Sequence, residues 1–492
     1  MDTKEMSEYE KKMLLYKKAM ASVNLYNPAK TTTRSSNTFN KDTLKSYMER
    51  PYANEKNLRS LSRFLRNRSQ VYKKIINDNA TMIDTRYRQV IPNYDLVKKS
   101  KSGSASDEKI RKSYFETIKV LDTMNLPSEM LKVYLECWTC DVFFGAYYYF
   151  KDEGGIMIPL DPDYCKIIGL YPTGDFAFAF DMSYFTGKDE QLELYGEPFT
   201  TMYRQYQNDT VNMRWQQLPD QYSCCMKINL EDYLSAIPPY INLFYSLIDL
   251  EDLKELNAIE AENNLYKLLY MVLPLFSNSS VPDDFAVDPE TAVQYYMKIV
   301  NALPDNVASF LTPLDIQQIQ FDPDQTGDVN KVENASKNIL KTAGHIAMAD
   351  PNGATAMSAA LRADEDYAIA SLLPQTQAWV NRMLSYILPN PSKVKFLSVT
   401  KYSRDTFKEG LIRDMNYGLP VAQTLGILNG FSEADMICLA RINNLVGLPD
   451  LYTPLSTAST QSGADSSEGG RPKETLRTDD GERSEAKKEA AG

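Results

Sequence analysis

Residues 327 to 390 constrain this chain more than any other stretch. Two helix-like runs are separated by Asp350-Pro351-Asn352-Gly353, and the second run contains a proline. Pro-Asn-Gly is a strong break, because proline lacks an N–H and Asn-Gly readily takes positive φ. The first run begins Asp328-Val329-Asn330-Lys331-Val332-Glu333 and continues to Lys341. The second, from Met357 to Leu388, is rich in small residues (Ala359, Ala360, Ala363, Ala368, Ala370, Ser371) and holds Pro374. A proline within a helix removes one hydrogen bond and bends the axis, at a cost of about 3 kcal/mol. Taken alone, the pattern means two helices joined by a loop. Its wider meaning depends on the elements to either side.

Upstream, residues 1 to 28 read as a charged amphipathic helix and Thr31 to Thr38 as a loop. A helix begins near Glu55 and places Leu58, Leu61, Leu65 and Tyr72 on one stripe. Arg59, Arg63 and Arg66 line another of its faces, which suits phosphate, acidic protein or water. Helices from Ser106 toward Asn125 and from Pro127 to Cys140 precede a β-prone run, Asp141 to Phe150. Cys165 to Tyr171 joins Phe176 to Met182 through Pro172-Thr173-Gly174, a hairpin signature in which Phe alternates with Ala. Trp215 and Tyr222 to Ile228 supply further strand, so the expected class is α+β, helix-rich and multidomain.

Pro238-Pro239 then opens a long helix with an apolar stripe (Ile241, Phe244, Leu247, Ile248, Leu253, Leu256, Ile259). Its other face is acidic: Asp249, Glu251, Asp252, Glu255, Glu260 and Glu262, opposed on the helix only by Lys254. About 30 residues of helix would span roughly 45 Å. From Leu265 to Asp324 come short elements and prolines, with a strand expected at Leu314 to Phe321. After Pro391, Val394 to Tyr402 reads as a strand. Pro420 opens and Gly430 closes a helix, and Ser432-Glu433-Ala434-Asp435 looks like the capping box of another, ending near Gly447. From Ser456 onward there is almost nothing to bury, and disorder is expected.

Composition narrows the chemistry. At 492 residues, roughly two to four domains are expected. The single histidine, His345, removes most acid–base and zinc arrangements. No phosphate loop, GxGxxG or GxSxG motif is present. Cys137 and Cys140 have CxxC spacing, but Cys165, Cys224, Cys225 and Cys438 provide no matching pair. The expectation is a protein without catalysis, metal or cofactor. No apolar run is long enough to span a membrane and the N-terminus is not a signal peptide, so a soluble protein made in a cytoplasm is expected. The 32 tyrosines suit extensive, partly wet contact surfaces. Net charge is −11, yet Lys30 to Lys101 carries 17 Lys/Arg against 6 Asp/Glu, a local excess of 17 − 6 = +11.

The order of these parts resembles the portal (head-to-tail connector) proteins of tailed bacteriophages, over roughly residues 50 to 475. Local stretches are similar too: Asn54-Glu55-Lys56-Asn57-Leu58-Arg59 leading into Ser62-Arg63-Phe64-Leu65, Leu311-Thr312-Pro313-Leu314-Asp315, Gly353 to Asp366, and Gly470-Arg471-Pro472-Lys473. The resemblance implies an N-terminal arm (1–50), an α+β wing (51–235), a first stem helix (236–264), a clip (265–325) and a second stem helix (326–348). A tunnel loop with a kinked tunnel helix (349–390), a return strand with a helical crown (391–455) and a disordered tail (456–492) follow.

It also implies a homo-oligomeric ring of about twelve subunits at one capsid vertex of the virion. Double-stranded DNA would pass through its channel during packaging and ejection. Implied partners are the terminase large subunit, which hydrolyses ATP and docks on the clip, a head–tail adaptor, and the major capsid and scaffolding proteins. The tunnel loop would be Asp350, Pro351, Asn352, Gly353, Ala354, Thr355 and Ala356. An acidic channel wall of Asp249, Glu251, Asp252 and Glu255 would repel phosphate and keep the duplex sliding, since each lysine–phosphate contact adds sequence-independent affinity. Lys331, Lys337 and Lys341 are candidates for transient DNA contact or for pairing with a neighbour's stem acids. Two other readings stand beside it: a tail or baseplate component, and a nucleic-acid-binding protein using Arg59, Arg63, Arg66, Arg68, Lys73 and Lys74.

Overall fold

The computed structural model describes residues 41–99, 105–151, 153–265, 267–272, 286–301, 307–312, 328–345 and 354–447. The expected N-terminal helix, the loop at 31–38, the strand at 314–321 and the tail lie outside them. The chain divides into two compact units, one ending at Phe407 and the other starting at Lys408. The protein is helix-rich, α+β and multidomain.

Among the described residues, the first unit opens with α1 (Lys41–Glu49), α2 (Glu55–Arg68) and α3 (Gln70–Ala80). Then come β1 (Arg88–Ile91), α4 (Tyr94–Lys99), α5 (Ala105–Thr123) and α6 (Leu126–Cys140). The strands β2 (Val142–Phe150), β3 (Gly154–Pro159), β4 (Cys165–Leu170) and β5 (Phe176–Asp181) precede α7 (Asp189–Tyr195) and α8 (Phe199–Asn208). After β6 (Trp215–Gln217) and β7 (Ser223–Lys227) come α9 (Phe244–Leu265), β8 (Lys267–Val272), α10 (Pro289–Val300) and β9 (Val307–Thr312). The series ends with α11 (Asp328–Thr342), α12 (Ala354–Ile387), β10 (Lys393–Phe396), α13 (Arg404–Asn416), α14 (Ala422–Leu428) and α15 (Glu433–Val446).

The stripe expected on one helix after Glu55 is split between two. Ser69 turns extended (φ −91°, ψ 118°), ends α2 and accepts the Tyr72 N–H to cap α3. Leu58, Leu61, Leu65 and Tyr72 are nevertheless all buried. Tyr72 rejoins α2 through its hydroxyl, 2.8 Å from Ser62 Oγ.

Two three-stranded antiparallel sheets, in the orders β3-β2-β7 and β4-β5-β6, carry the main core. Phe144, Phe178, Phe180, Phe185, Tyr195 and Phe199 meet there, each contributing about 1.5–3 kcal/mol by burial. In β5 the alanine face is buried as well as the phenylalanine face. β1 pairs antiparallel with β10, Arg88 opposite Phe396. The strand expected to reach Tyr402 stops at Phe396. Beyond it the Thr400 hydroxyl accepts the N–H groups of Tyr402 and Ser403, drawing the chain into a turn.

The helix expected from Pro238 starts later, at Phe244, after a 3₁₀ turn at Ile241–Leu243. Ala236 is pinned by α2, its N–H donating to Glu55 and its carbonyl accepting from Arg59. That holds the approach out of helical geometry, and α9 has 22 residues. β8 and β9 pair in parallel, Lys267 opposite Val307, with α10 on the connection between them.

In the second unit, the expected capping box of α15 is present: Ser432 Oγ accepts the Asp435 N–H and Asp435 accepts the Ser432 N–H. Gly447 ends α15 in the left-handed region, at φ 72°. Gly426 lets α14 approach α15 closely; an added Cβ would lie 2.2 Å from Met436 Sδ.

Candidate functional site

α9 and α11 pack against each other. Both rest on α3, α9 at its N-terminal end through the Phe244–Tyr72 ring contact and α11 beyond its C-terminal end through His345 and Asp78. The two helices therefore run antiparallel, with β8, α10 and β9 between them in the chain.

α9 buries Phe244, Leu247 and Leu250 on its inner side. Asp249 and Asp252 point outward and are paired with Lys41 of α1 at 2.6 and 2.9 Å. Those two carboxylates hold the Lys41 ammonium above its ordinary pKa. Glu251 accepts from Lys254 at 2.9 Å, and Glu255 is exposed. Lys254 is thus not the only cation beside the acidic face, because α1 brings a second that no spacing within α9 reveals.

On α11, Ile339 and Leu340 face inward. Lys337 pairs with Glu333 at 2.7 Å, and Lys341, one turn further on, is exposed. Lys331 is exposed and lies about 120° around the helix from Lys337 at 3.6 residues per turn. The three lysines do not share one face.

α11 ends in a Schellman motif. Gly344 takes φ 88°, its N–H reaches Lys341 O, and the His345 N–H reaches Leu340 O. This seats the only histidine, buried, with Nδ1 3.3 Å from Asp78 Oδ2. Asp78 Oδ1 also accepts from Lys401 Nζ at 2.5 Å and from Tyr402 Oη at 3.0 Å. Burial works to raise the Asp78 carboxyl, but the bonds from His345 and Lys401 outweigh it and hold its pKa below the ordinary value. The same turn bonds α12, where Glu365 accepts from the Thr400 hydroxyl. Asp78 and Lys401 carried no sequence signal, since the contact spans more than 300 positions.

Of the expected tunnel-loop residues, Asp350, Pro351, Asn352 and Gly353 lie outside the described residues. Ala354, Thr355 and Ala356 form the first turn of α12, three residues ahead of the expected helix start. Pro374 sits inside that helix as read. Its neighbour Gln375 donates to Ser371 O at 2.5 Å and to Lys227 O at 2.6 Å, and accepts the Lys227 N–H at 3.0 Å. Further along α12, Trp379 Nε1 and Arg382 Nη2 both donate to Ser223 O, at 2.9 and 2.8 Å.

The arginine face of α2 is consumed within the chain. Arg59 is buried against Glu55, Asp163 and Ala236 O, Arg63 pairs with Glu136, and Arg66 donates to Thr139 Oγ1. Cys137 and Cys140 are buried, free thiols pushed up in pKa by burial, the environment of an inert cysteine. Among the described residues no group of three His, Cys, Asp or Glu side chains could hold a metal, and no helix is long and apolar enough to cross a membrane. An open cleft of about 960 Å³ lies between α5 and the end of α12. It mixes Lys109, Lys112, Lys119 and Lys151 with Glu116 and Glu153 and gathers no convergent chemistry.

No family model and no curated protein matches the chain. Among solved structures, it is similar to a chain from the neck of an empty GTA particle computed with C6 symmetry. That likeness has a TM-score of 0.37 and 11% identity, and covers 76% of this chain and 93% of that one. A chain from the virion of a native gene transfer agent particle superposes with a TM-score of 0.35 and 11% identity, covering 79% of this chain and 93% of that one.

Proposed function

We propose that the chain is one subunit of a ring-shaped portal in a phage-like particle. Double-stranded DNA would enter and leave the capsid through its bore, and the packaging motor and tail parts would dock on its rim. The observation that carries the reading is the antiparallel pair α9 and α11 bracketing the small β8–α10–β9 unit, followed in the chain by the proline-containing α12. The portal resemblance implies elements in this order, and their presence supports the reading. The reading assigns no catalysis to the chain; ATP hydrolysis belongs to a separate terminase.

The nucleic-acid-patch alternative loses its main support, because Arg59, Arg63 and Arg66 are bonded to this chain's own acceptors. Mass photometry and negative-stain microscopy of the purified full chain test the proposal. Closed rings with a bore wide enough for duplex DNA are expected. A monomer at every concentration, or a ring without a bore, would overturn it.

A further inference from the structure

Asp249, Asp252, Leu256 and Ile259 follow one another at i, i+3, i+7 and i+10, so they form a single stripe along α9. This stripe faces away from the core side carrying Leu247 and Leu250. Leu256 and Ile259 are 51% and 48% exposed, and Asp249 and Asp252 remain more than half exposed even with Lys41 beside them. Large apolar groups set among carboxylates suit contact with protein. A wall along which hydrated DNA slides has no use for them.

The antiparallel neighbour offers the complement. Lys337 and Lys341 lie one turn apart on the outward side of α11, opposite Ile339. They sit toward its C-terminal end, the end that shares α3 with the N-terminal end of α9. Lys337 and Lys341 thus lie toward the same end of the antiparallel pair as Asp249 and Asp252. One rod carries outward acid, shared with Lys41, and the other outward base, with Lys337 also holding Glu333, at the same end of the pair.

We propose that this charge-segregated pair is the contact between copies, the acidic and apolar stripe of α9 receiving Lys337 and Lys341 of a second copy. It rests on the ring reading and specifies its interface. Two different surfaces meeting head to tail form a heterologous contact, the kind that closes into rings. Rotation about an axis parallel to the rods keeps each residue at its own height, so acid meets base around the whole circle. Asp249 and Asp252 then belong to the seam between subunits and not to the bore. Lys41 contributes to the same seam from within the chain.

Three variants of the full-length protein test this: Lys337→Glu with Lys341→Glu, Asp249→Lys with Asp252→Lys, and all four together. Mass photometry reads the assembly, and melting temperature checks that each variant is folded. Each double reversal places like charges across the seam and should raise the concentration needed for half-assembly by about tenfold or more. The fourfold variant should recover assembly, because opposite charges face each other again. Rings indifferent to both double reversals overturn this seam and leave the ring reading standing. Folded doubles that fail to assemble, with a folded fourfold variant that fails equally, also overturn it. An unaltered chain that never leaves the monomer overturns the ring reading and the seam together.

Discussion

Replacing Lys227 by methionine should destabilise the first unit in a strongly pH-dependent way. The Lys227 ammonium and the Asp141 carboxylate are both 1% exposed and in direct contact. Lys227 also donates to Ser235 O at 2.6 Å, and Asp141 accepts the Asn229 N–H at 2.8 Å. Burial pushes the Asp141 carboxyl up to about 6, against the opposing pull of Lys227 and Asn229. Asp141 is therefore largely ionised at pH 8. Because the folded pKa lies above the unfolded one, the favourable contribution of protonated Asp141 is complete below 3.8 and is lost as pH rises through about 6.

Lys227→Met moves the upper edge of that window beyond pH 8, since the carboxylate then has no cation. Each pH unit above the intact value costs 1.36 kcal/mol. From about pH 6 to pH 8 the variant should thus lose about 2.7 kcal/mol relative to the unaltered chain. That lies just below the roughly 3–5 kcal/mol for breaking a buried pair. Near pH 5, where Asp141 is mostly protonated in both proteins, the gap should nearly close. Urea unfolding followed by tryptophan fluorescence reports directly, because the buried Trp138 and Trp379 lie on α6 and α12, which pack on β2 and β7. A gap equal at pH 5 and pH 8, or smaller than about 1 kcal/mol at pH 8, would refute the reasoning.

Gly155→Ala should cost about 1–3 kcal/mol in the same assay, because its Cβ would sit 1.8 Å from Tyr147 Oη, a buried hydroxyl bonded to Met124 O. A neutral result would mean that β3 yields freely. Asp78→Asn should lower the melting temperature at pH 7, and the deficit should shrink as pH falls below 3.8: Asp78 has a depressed pKa, so its contribution is present above the unfolded value and lost as pH falls through the folded one. A deficit unchanged by acid would contradict the depressed carboxyl.

Local patterns carried the elements well. Phe176 to Phe180, the Pro172-Thr173-Gly174 turn and the Ser432 capping box each hold their signal within a few residues, and each is found where read. What was hidden depends on distant partners. The break at Ser69 is the local exception, its hydroxyl accepting the Tyr72 N–H three residues on, whereas the late start of α9 goes with Glu55 and Arg59, some 180 positions away. The arginine stripe of α2 was visible as charge, but its use was not, since Asp163 and Glu136 reach it only through the tertiary fold. Likewise the acidic face of α9 was legible, whereas Lys41 on it and the Asp78–His345 contact were not.

β7 is the outer strand of its sheet, with β2 on one side only. Open strand borders invite foreign strands to add on. Here α12 closes the border with side chains spaced four and three residues apart. Gln375 copies a peptide group toward Lys227, and Trp379 and Arg382 together occupy the carbonyl of Ser223. The helix acts as a counterfeit strand, so a chain truncated before α12 would bare a sticky hem and would be expected to clump before it could assemble.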